Sequence, residues 1–282
     1  SNLDDHLIPG LNPAGVPRKL KNTAIPFIYD DIEDFKKQLK LNPDVAAIII
    51  EGARYNAPSL EFLNFISKEA KKRKIILIVD EVTSGFRICN SGTYRKYKYD
   101  PDIAVYGKAL GNGYAISAVV GKKNVMEMAS KSFISSTMWT ENVGFAAAKA
   151  CLKKINKIKL HVHLNKVGRD IAIIWRRTSK ASNLKISVSN FYPLITFKFN
   201  YGDLDNKLLT LFIQEMLERG FLASSSVYVT AAHNQAVLKK YAIACKEVFE
   251  IIKIAIDSNS IDSCLKTKPR YDSFARLNKQ KD

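Results

Sequence analysis

The chain is short of several features that mark specialised classes of protein. Its 282 residues include only 13 glycines and 9 prolines, which excludes collagenous chains and low-complexity disordered ones. No apolar run approaches the ~18–20 residues of a membrane span. The opening ten residues contain neither the basic nor the apolar region of a secretory signal. These absences predict a chain that is not secreted and has no membrane partner.

Cysteine is also scarce, and its four positions are far apart. None of them forms a CxxC pair, the spacing typical of zinc sites and redox-active dithiols. Two histidines, His161 and His163, flank a single residue, a spacing that points them apart on a helix, and no carboxylate motif accompanies them. The cysteines therefore indicate free thiols in a reducing cytoplasm, and the sequence predicts no metal site.

Acidic residues are too few to balance the basic ones. The chain has 27 Asp and Glu against 44 Lys and Arg, which gives a formal charge of +17. The basic residues fall in short runs, as at 68–74, 95–98 and 153–159. No RNP, KH or zinc-finger pattern accompanies these runs, so a nucleic-acid partner is the less favoured interpretation. A lysine-rich proteome or an anionic small-molecule substrate accounts for the charge more simply.

Helical and apolar segments alternate from Asp31 onward. They follow an opening stretch, residues 1–28, whose prolines and glycines predict irregular structure. The apolar runs typical of buried strands occupy residues 45–50, 75–79, 103–106 and 115–120. Helices that alternate with fully apolar strands predict an α/β fold with a mainly parallel sheet covered on both faces.

A second alternation follows and predicts a second, smaller α/β unit. A long alanine-rich helix is expected first, at about 142–160. The elements expected after it are a helix (about 162–179), a strand (185–199), a helix (205–218), a strand (221–229) and a final helix (about 234–256). We therefore predict a large domain in residues 1–165 and a small C-terminal domain in residues 166–282.

Chemically capable residues follow two strands of the predicted first sheet. Asp80 comes directly after the apolar run 75–79, and Lys108 comes two residues after the run 103–106. In open α/β sheets ligands bind outside the carboxyl ends of the strands, so these positions predict a ligand site that contains a carboxylate and a lysine. A simple ion pair at the strand ends is the alternative. An acidic strand end also occurs in P-loop ATPases, but this sequence has no GxxxxGK[ST] segment.

A longer pattern surrounds Asp80 and Lys108. It comprises Asp80-Glu81-Val82, Gly85-Phe86-Arg87, Pro101-Asp102 and Gly107-Lys108, followed by Gly111 and Gly113. In this order and spacing the residues resemble the class III pyridoxal-phosphate-dependent aminotransferases, and within them the glutamate-1-semialdehyde 2,1-aminomutase-like branch. The resemblance continues through Ser136-Thr137, the alanine-rich helix and residues 222–233. It implies a pyridoxal-phosphate-dependent transferase of fold type I, aspartate aminotransferase-like, with residues 1–165 as the cofactor-binding domain.

The resemblance also implies roles for individual residues. Lys108 would hold pyridoxal 5'-phosphate as a Schiff base and move protons, since a primary amine is the side chain that condenses with an aldehyde. Asp80 would keep the pyridine nitrogen protonated, and Val82 would pack against one face of the ring. Thr137, with Ser136 as a second donor, would bind the phosphate of the other subunit's cofactor, which implies a homodimer with a composite active site.

The activity that the resemblance implies is the transfer of an amino group by an aminotransferase. A 2,1-aminomutase, which keeps both halves of the reaction on one substrate, is the first alternative. An inactive fragment or binding module is the second, because residues 1–50 show neither the family's Gly/Ser-rich phosphate loop nor the aromatic residue that covers the other ring face. Arg87 either pairs with a substrate carboxylate or fixes its own loop, and we favour the loop.

Overall fold

Two β-sheets organise the computed structural model, which describes residues 15–20, 22–53, 55–137 and 139–270. The irregular structure expected for residues 1–14 lies outside the described residues, as do residues 271–282 at the other end. Within the described ranges, no helix is both long enough and apolar enough to cross a membrane.

The first sheet and the helices around it follow the predicted alternation. The elements are α1 (Ile32–Leu41), β1 (Ala47–Glu51), α2 (Leu60–Arg73), β2 (Ile76–Asp80), α3 (Thr93–Tyr97), β3 (Ile103–Tyr106), β4 (Ala118–Gly121), α4 (Lys123–Ser130) and α5 (Val143–Lys157). The strands lie in the spatial order β1-β2-β3-β4. The first three run parallel and β4 runs antiparallel beside β3, which confirms a mainly parallel sheet.

Side-chain caps fix the start of two helices that pack on this sheet. Asp31 accepts hydrogen bonds from the backbone N–H groups of Glu33 and Asp34 at the start of α1. Ser59 accepts one from Phe62 at the start of α2. The helices then bury an apolar face against the strands, and the core residues they share with β1 and β2 include Phe35, Leu39, Phe62, Leu63, Ile66, Ile48, Ile50, Leu77 and Val79.

The register of the strands brings their carboxyl ends to one edge of the sheet. Glu51 at the end of β1 is paired with Asp80 at the end of β2, and Asp80 is paired with Val105 in β3. The loops that leave β2 and β3 therefore start side by side. This edge is where the sequence predicts the ligand site.

The second sheet lies in the other half of the chain. Its strands and the helices of this half are α6 (Leu160–Ala181), β5 (Ile186–Val188), β6 (Leu194–Phe199), α7 (Asp205–Glu218), β7 (Ser226–Tyr228), α8 (Gln235–Asp257) and α9 (Ile261–Cys264). The central strand β6 pairs antiparallel with both β5 and β7. β7 is shorter than the strand expected at 221–229. The core of this half includes a group of aromatic side chains in mutual contact, namely Trp175, Phe197, Phe199, Phe212 and Phe249.

The strand expected over residues 185–199 is a hairpin of β5 and β6, so the expectation of one strand is wrong. The chain reverses at residues 189–193, where Pro193 has no N–H to offer a continuous strand. The backbone N–H of Ser189 donates to the carbonyl of Thr196 at 2.9 Å and closes the hairpin. Apolar residues on both sides of the turn give the sequence the appearance of a single run.

The two helices expected at about 142–160 and 162–179 are present, with the break between them slightly earlier than expected. α5 ends at Lys157, and α6 begins at Leu160. Lys159 between them adopts the left-handed backbone conformation, with φ of 47°, which an α-helix cannot contain. The domain boundary predicted at residue 165 falls inside α6, and the division into a large and a small domain stays a prediction.

A small apolar cluster joins the two halves of the chain. Ala53 and Ile88, from the loops after β1 and β2, are buried against Phe191 and Leu194 of the β5–β6 hairpin. The second sheet thus lies beside the loop that follows Asp80. Side chains from both halves can therefore contribute to one site.

Gly168 in α6 is a position where the fold leaves no room for a side chain. A Cβ there would lie 1.9 Å from the carbonyl oxygen of Tyr192. We expect Gly168→Ala to lower the free energy of unfolding by about 3 kcal/mol, because this overlap outweighs a helix-propensity gain of about 1 kcal/mol. Urea denaturation followed by circular dichroism measures the difference. Ile173→Ala, at an exposed position of the same helix, should cost less than about 1 kcal/mol. An equal decrease in the free energy of unfolding in both variants would contradict the close approach of Gly168 to the backbone of Tyr192.

Candidate functional site

Asp80 is the last residue of β2 and lies at the carboxyl edge of the parallel strands. Its Oδ1 accepts a hydrogen bond of 2.8 Å from the backbone N–H of Val82. Its Oδ2 receives no hydrogen bond from any residue that the structure describes, although the side chain is half-buried. A half-buried carboxylate oxygen with unused acceptor capacity is suited to a cationic N–H donor.

Lys108 stands at the same edge, on the loop that leaves β3. It opens a short 3-10 helix, and its backbone is in the left-handed region, with φ of 46°. Its Nζ donates a hydrogen bond of 2.9 Å to the hydroxyl of Thr83, three residues after Asp80. The loop after β2 therefore holds the amine of Lys108 next to the strand end that carries Asp80.

Val82 lies two residues after Asp80 and meets the backbone that precedes Lys108. The Cβ position of Gly107 lies 3.5 Å from Cγ1 of Val82, an ordinary van der Waals distance. Val82 is half-buried, so part of its apolar surface remains accessible. The structure thus brings together three of the sequence-predicted residues: Asp80, Val82 and Lys108.

Glu81 points the other way, into the protein, and is fully buried. Its carboxylate accepts hydrogen bonds from the hydroxyl of Ser84 and from the backbone N–H of Thr93, each at 2.5 Å, and also from the Thr93 hydroxyl. A Cβ on Gly92 would lie 2.5 Å from Oε1 of Glu81, so the carboxylate fills the space beside that glycine. Glu81 therefore fixes the shape of the loop that carries Thr83.

Removal of the Glu81 carboxylate should destabilise this loop. We expect Glu81→Ala to lower the free energy of unfolding by about 3 kcal/mol, because it leaves the donors of Ser84 and Thr93 buried without an acceptor. Glu81→Gln keeps one acceptor oxygen and should lose less. Denaturant titration of both variants measures the two costs. If Glu81→Ala and Glu81→Gln lower the free energy of unfolding equally, the hydrogen bonds to Glu81 do not hold the loop.

The same carboxyl should also make stability depend on pH. Burial raises the pKa of Glu81 above its ordinary value of 4.5. The pKa of Glu81 is thus higher in the folded protein than in the unfolded chain. The contribution of Glu81 to the free energy of unfolding is therefore complete below pH 4.5 and is lost as pH rises through the pKa of the folded state. Glu81→Gln should remove this decline from a plot of unfolding free energy against pH.

Ser136 and Thr137 lie on the segment that leads into α5, and both are exposed. The carbonyl of Ser136 accepts a hydrogen bond of 3.1 Å from the backbone N–H of Trp139. In the part of the chain that the structure describes, neither hydroxyl bonds to another residue. The structure does not bring Ser136 or Thr137 into hydrogen-bond contact with Asp80 or Lys108, and their role in phosphate binding stays a prediction.

His163 of α6 and His233 both contact Thr230, which follows β7. His163 Nε2 lies 3.2 Å from the carbonyl oxygen of Thr230, and the backbone N–H of Thr230 donates to His233 Nδ1 at 2.9 Å. No group of three or more His, Cys, Asp or Glu side chains suited to a metal ion occurs among the described residues.

Two residues of the site were not predicted from the sequence. Thr83 follows the Asp80-Glu81-Val82 pattern directly, and its hydroxyl is a partner of Lys108. Tyr228, from β7, lies under the guanidinium of Arg87 with 5.6 Å between Cζ and the ring centroid. Its place directly after Asp80-Glu81-Val82 in the sequence could have indicated that Thr83 belongs to the site. No nearby sequence pattern indicates that Tyr228 belongs to it.

Comparison with known proteins gives a consistent result. The family model for class III aminotransferases matches residues 8–187. A glutamate-1-semialdehyde 2,1-aminomutase of Nitrosopumilus maritimus is 32% identical over 266 residues, which cover 84% of this chain and 62% of that protein. A 3-aminobutyryl-CoA aminotransferase of Cloacimonas acidaminovorans is 30% identical over 213 residues, covering 72% of this chain and 51% of that protein. The chain thus spans about half to three-fifths of these curated relatives.

Solved structures show the same fold. The FumI protein of Sphingopyxis sp. MTA144, in its PLP internal aldimine form, superposes with a TM-score of 0.80 at 21% identity, over 87% of this chain and 61% of that one. A transaminase with PLP bound also gives 0.80, at 18% identity, over 90% of this chain and 65% of that one. The fold predicted from the sequence, that of the fold type I transferases, is confirmed.

Proposed function

Because this chain belongs to the class III aminotransferase family, we propose that it forms the lysine-bearing part of a pyridoxal-phosphate-dependent active site and that the whole protein transfers amino groups. The observation that carries the proposal is the placement of Asp80 and Lys108 at the carboxyl ends of adjacent parallel strands, joined through Val82 and Thr83. Relatives named as aminotransferases and aminomutases support it.

The residues present fit this cofactor. Asp80 offers a half-buried carboxylate oxygen that no described residue engages, which suits the protonated nitrogen of a pyridine ring. Lys108 offers a primary amine on the neighbouring loop, held by Thr83. Val82 offers an apolar surface of the kind that packs on an aromatic ring. The site therefore holds a carboxylate for the ring nitrogen, an apolar contact for the ring and an amine for the aldehyde.

Each residue has a distinct task in this proposal. When bound, pyridoxal phosphate supplies an aldehyde that condenses with amines and a ring that withdraws electrons from the substrate carbon. Asp80 orients the ring and keeps the proton on its nitrogen. Lys108 attaches the cofactor and then holds or moves the proton at the substrate carbon. Thr83 orients Nζ of Lys108, and Val82 excludes water from one face of the ring.

Ser136 and Thr137 are the proposed phosphate ligands. Both are exposed, and the described residues leave both hydroxyls without a hydrogen-bond partner. We assign them to the phosphate of the cofactor in a second subunit, so that two copies of the chain complete each site. On this proposal residues 1–165 form the large domain and residues 166–282 the small one. A reducing cytoplasm fits the four cysteines, which are all unbridged in the structure.

Titration of the purified protein with pyridoxal phosphate tests the proposal. We expect a visible absorbance band at a stoichiometry of one cofactor per chain, together with transfer of an amino group from an amino donor to an added 2-oxo acid. A protein that stays colourless in excess cofactor would instead support the non-catalytic fragment or binding module.

The aminomutase is the second candidate, and it has specific support from the curated relatives. Several of them, including one at 32% identity, are named glutamate-1-semialdehyde 2,1-aminomutase. An aminomutase completes its reaction on one substrate, so product forms without any 2-oxo acid. A transaminase without a 2-oxo acid stops after one half-reaction. Turnover measured with and without the 2-oxo acid therefore separates the two.

A further inference from the structure

A short turn joins β7 to α8, and a histidine side chain closes it. The backbone N–H of Thr230 donates to Nδ1 of His233 at 2.9 Å, and the backbone N–H of His233 donates to the carbonyl of Thr230 at 3.2 Å. Asn234 then caps α8 by accepting a hydrogen bond from the backbone N–H of Val237. The path of the chain from the sheet into α8 therefore uses an imidazole nitrogen that accepts only while it is unprotonated.

A second histidine, from a different helix, contacts the same residue. Nε2 of His163 on α6 lies 3.2 Å from the carbonyl oxygen of Thr230. Because a carbonyl oxygen only accepts, Nε2 of His163 carries the hydrogen in this contact. Thr230 thus meets one imidazole that accepts from its N–H and another that donates to its carbonyl. We call His163, Thr230 and His233 the Thr230 latch, since together they tie the end of β7 to α6.

The Thr230 latch has a second arrangement within reach. The hydroxyl oxygen of Thr230 lies 3.4 Å from Nδ1 of His233 and accepts the backbone N–H of Ala232 at 3.3 Å. A protonated imidazole carries hydrogen on both nitrogens, so its Nδ1 donates and no longer accepts. Nδ1 of His233 can then donate to this hydroxyl oxygen, whereas the backbone N–H of Thr230 loses its acceptor. Uptake of one proton therefore exchanges one set of hydrogen bonds for another.

Several titratable or charged groups surround His233. They come from three elements and are His163, Lys166 and Asp170 on α6, Tyr228 on β7, and Tyr241 on α8. Lys166 and Asp170 pair with each other at 3.7 Å. Burial and, next to it, the neighbouring His163 lower the pKa of His233 below its ordinary value of 6.5. The arrangement in which Nδ1 of His233 accepts is therefore favoured at neutral pH.

We propose that the Thr230 latch is a pH-sensitive switch, which is closed while His233 is neutral and opens when His233 takes up a proton. Opening releases the end of β7 from α6. Tyr228 of β7 lies 5.6 Å from Cζ of Arg87, and Nη1 of Arg87 donates to the carbonyl of Thr83 at 2.5 Å. The open latch therefore weakens the support that β7 gives to the loop after β2.

The direction of the pH effect follows from the state of His233 in the folded chain. Because its pKa is lower in the folded protein than in the unfolded chain, the contribution of His233 to the free energy of unfolding is complete above pH 6.5. That contribution is lost as pH falls through the pKa of the folded state. The latch is therefore expected to open under mildly acidic conditions.

Nuclear magnetic resonance of the full chain, uniformly labelled with ¹⁵N, tests the proposal. At about pH 7.5 the imidazole spectrum should show His233 with hydrogen on Nε2 and none on Nδ1. Between about pH 7.5 and about pH 5, the amide of Thr230 should lose protection against hydrogen exchange at least about fivefold, after correction for the intrinsic effect of pH. The amide of Ser189, which donates to the carbonyl of Thr196 at 2.9 Å between β5 and β6, should keep its protection.

His233→Asn is the decisive variant, because the side-chain oxygen of asparagine stands near the position of Nδ1 and accepts at every pH. The protection of Thr230 in this variant should not depend on pH. His163→Gln keeps a side-chain donor but removes the neighbouring imidazole, so the latch should open at a higher pH than in the unaltered protein. His161→Asn is the matched control on α6, since the side chain of His161 contacts no part of the latch, and it should leave the opening unchanged.

Three results would each overturn the proposal. They are hydrogen on Nδ1 of His233 at about pH 7.5, unchanged protection of Thr230 down to about pH 5, and a pH dependence that persists in His233→Asn. If His233→Asn does not fold, as judged by circular dichroism, His163→Gln decides, and an unchanged midpoint of opening would then overturn the switch. These measurements need no bound cofactor, so their outcome is independent of the proposed function.

Discussion

Replacement of Lys108 by alanine is expected to abolish covalent attachment of pyridoxal phosphate and to reduce amino transfer at least about 1,000-fold. Lys108 presents its amine at the carboxyl edge of β3, hydrogen-bonded to Thr83, and alanine leaves no group there that condenses with an aldehyde. Borohydride reduction of the loaded protein followed by peptide mass spectrometry locates the attached cofactor. Visible absorbance and steady-state turnover complete the measurement.

Two further variants test whether the loss is due to the amine of Lys108 itself. Lys108→Arg keeps a positive charge without a condensing amine and should be as inactive as Lys108→Ala. Lys122→Ala removes a lysine at the opposite edge of the same sheet, where it pairs with Asp100 and Asp102, and should keep full attachment. Cofactor attached to a different lysine in the unaltered protein would remove Lys108 from the proposed site.

Replacement of Asp80 by asparagine should produce the second large effect, a fall in turnover of about 1,000-fold with the fold preserved. Asparagine has the same shape as aspartate and can still accept the hydrogen bond from Val82. It lacks the negative charge that keeps a pyridine nitrogen protonated, so the ring loses most of its capacity to withdraw electrons. A loss of this size corresponds to about 4 kcal/mol of transition-state stabilisation.

Asp102→Asn is the matched control for Asp80. Asp102 precedes β3 at the amino edge of the sheet, where it accepts the backbone N–H of Leu77 at 2.9 Å and pairs with Lys122. Its replacement should cost about 1 kcal/mol of stability and leave the absorbance of the bound cofactor unchanged. Turnover of Asp80→Asn within a factor of about three of the unaltered protein would show that Asp80 does not serve the ring nitrogen.

The positions of Asp80 and Lys108 were predictable because they depend on local patterns. Each follows a short apolar strand, and consecutive parallel strands end at the same edge of a sheet. The helices that alternate with these strands were also predictable, since their apolar stripes and their caps at Asp31 and Ser59 are encoded in adjacent residues. For these features the sequence and the structure agree.

Turns within apolar segments were harder to predict. Residues 185–199 have a composition typical of one strand, and the reversal at Pro193 is visible only when β6 pairs with both β5 and β7. The break between α5 and α6, by contrast, lies within a few residues of the place that the sequence predicts, and Lys159 there adopts the left-handed conformation. The reversal at Pro193 follows from the pairing of strands within the second sheet, which local composition does not express.

Local patterns in the amino-acid sequence were enough to indicate the family, the alternation of helices and strands, and the edge of the sheet at which a carboxylate and a lysine meet. The folded chain was needed to show that Thr83 holds Lys108 and that Arg87 lies over Tyr228 without a carboxylate partner in the described residues. The difference lies in the range over which the interactions act. Periodicity and capping act between neighbours in the chain, whereas the contact of Arg87 with Tyr228 forms only when two separately built sheets pack together.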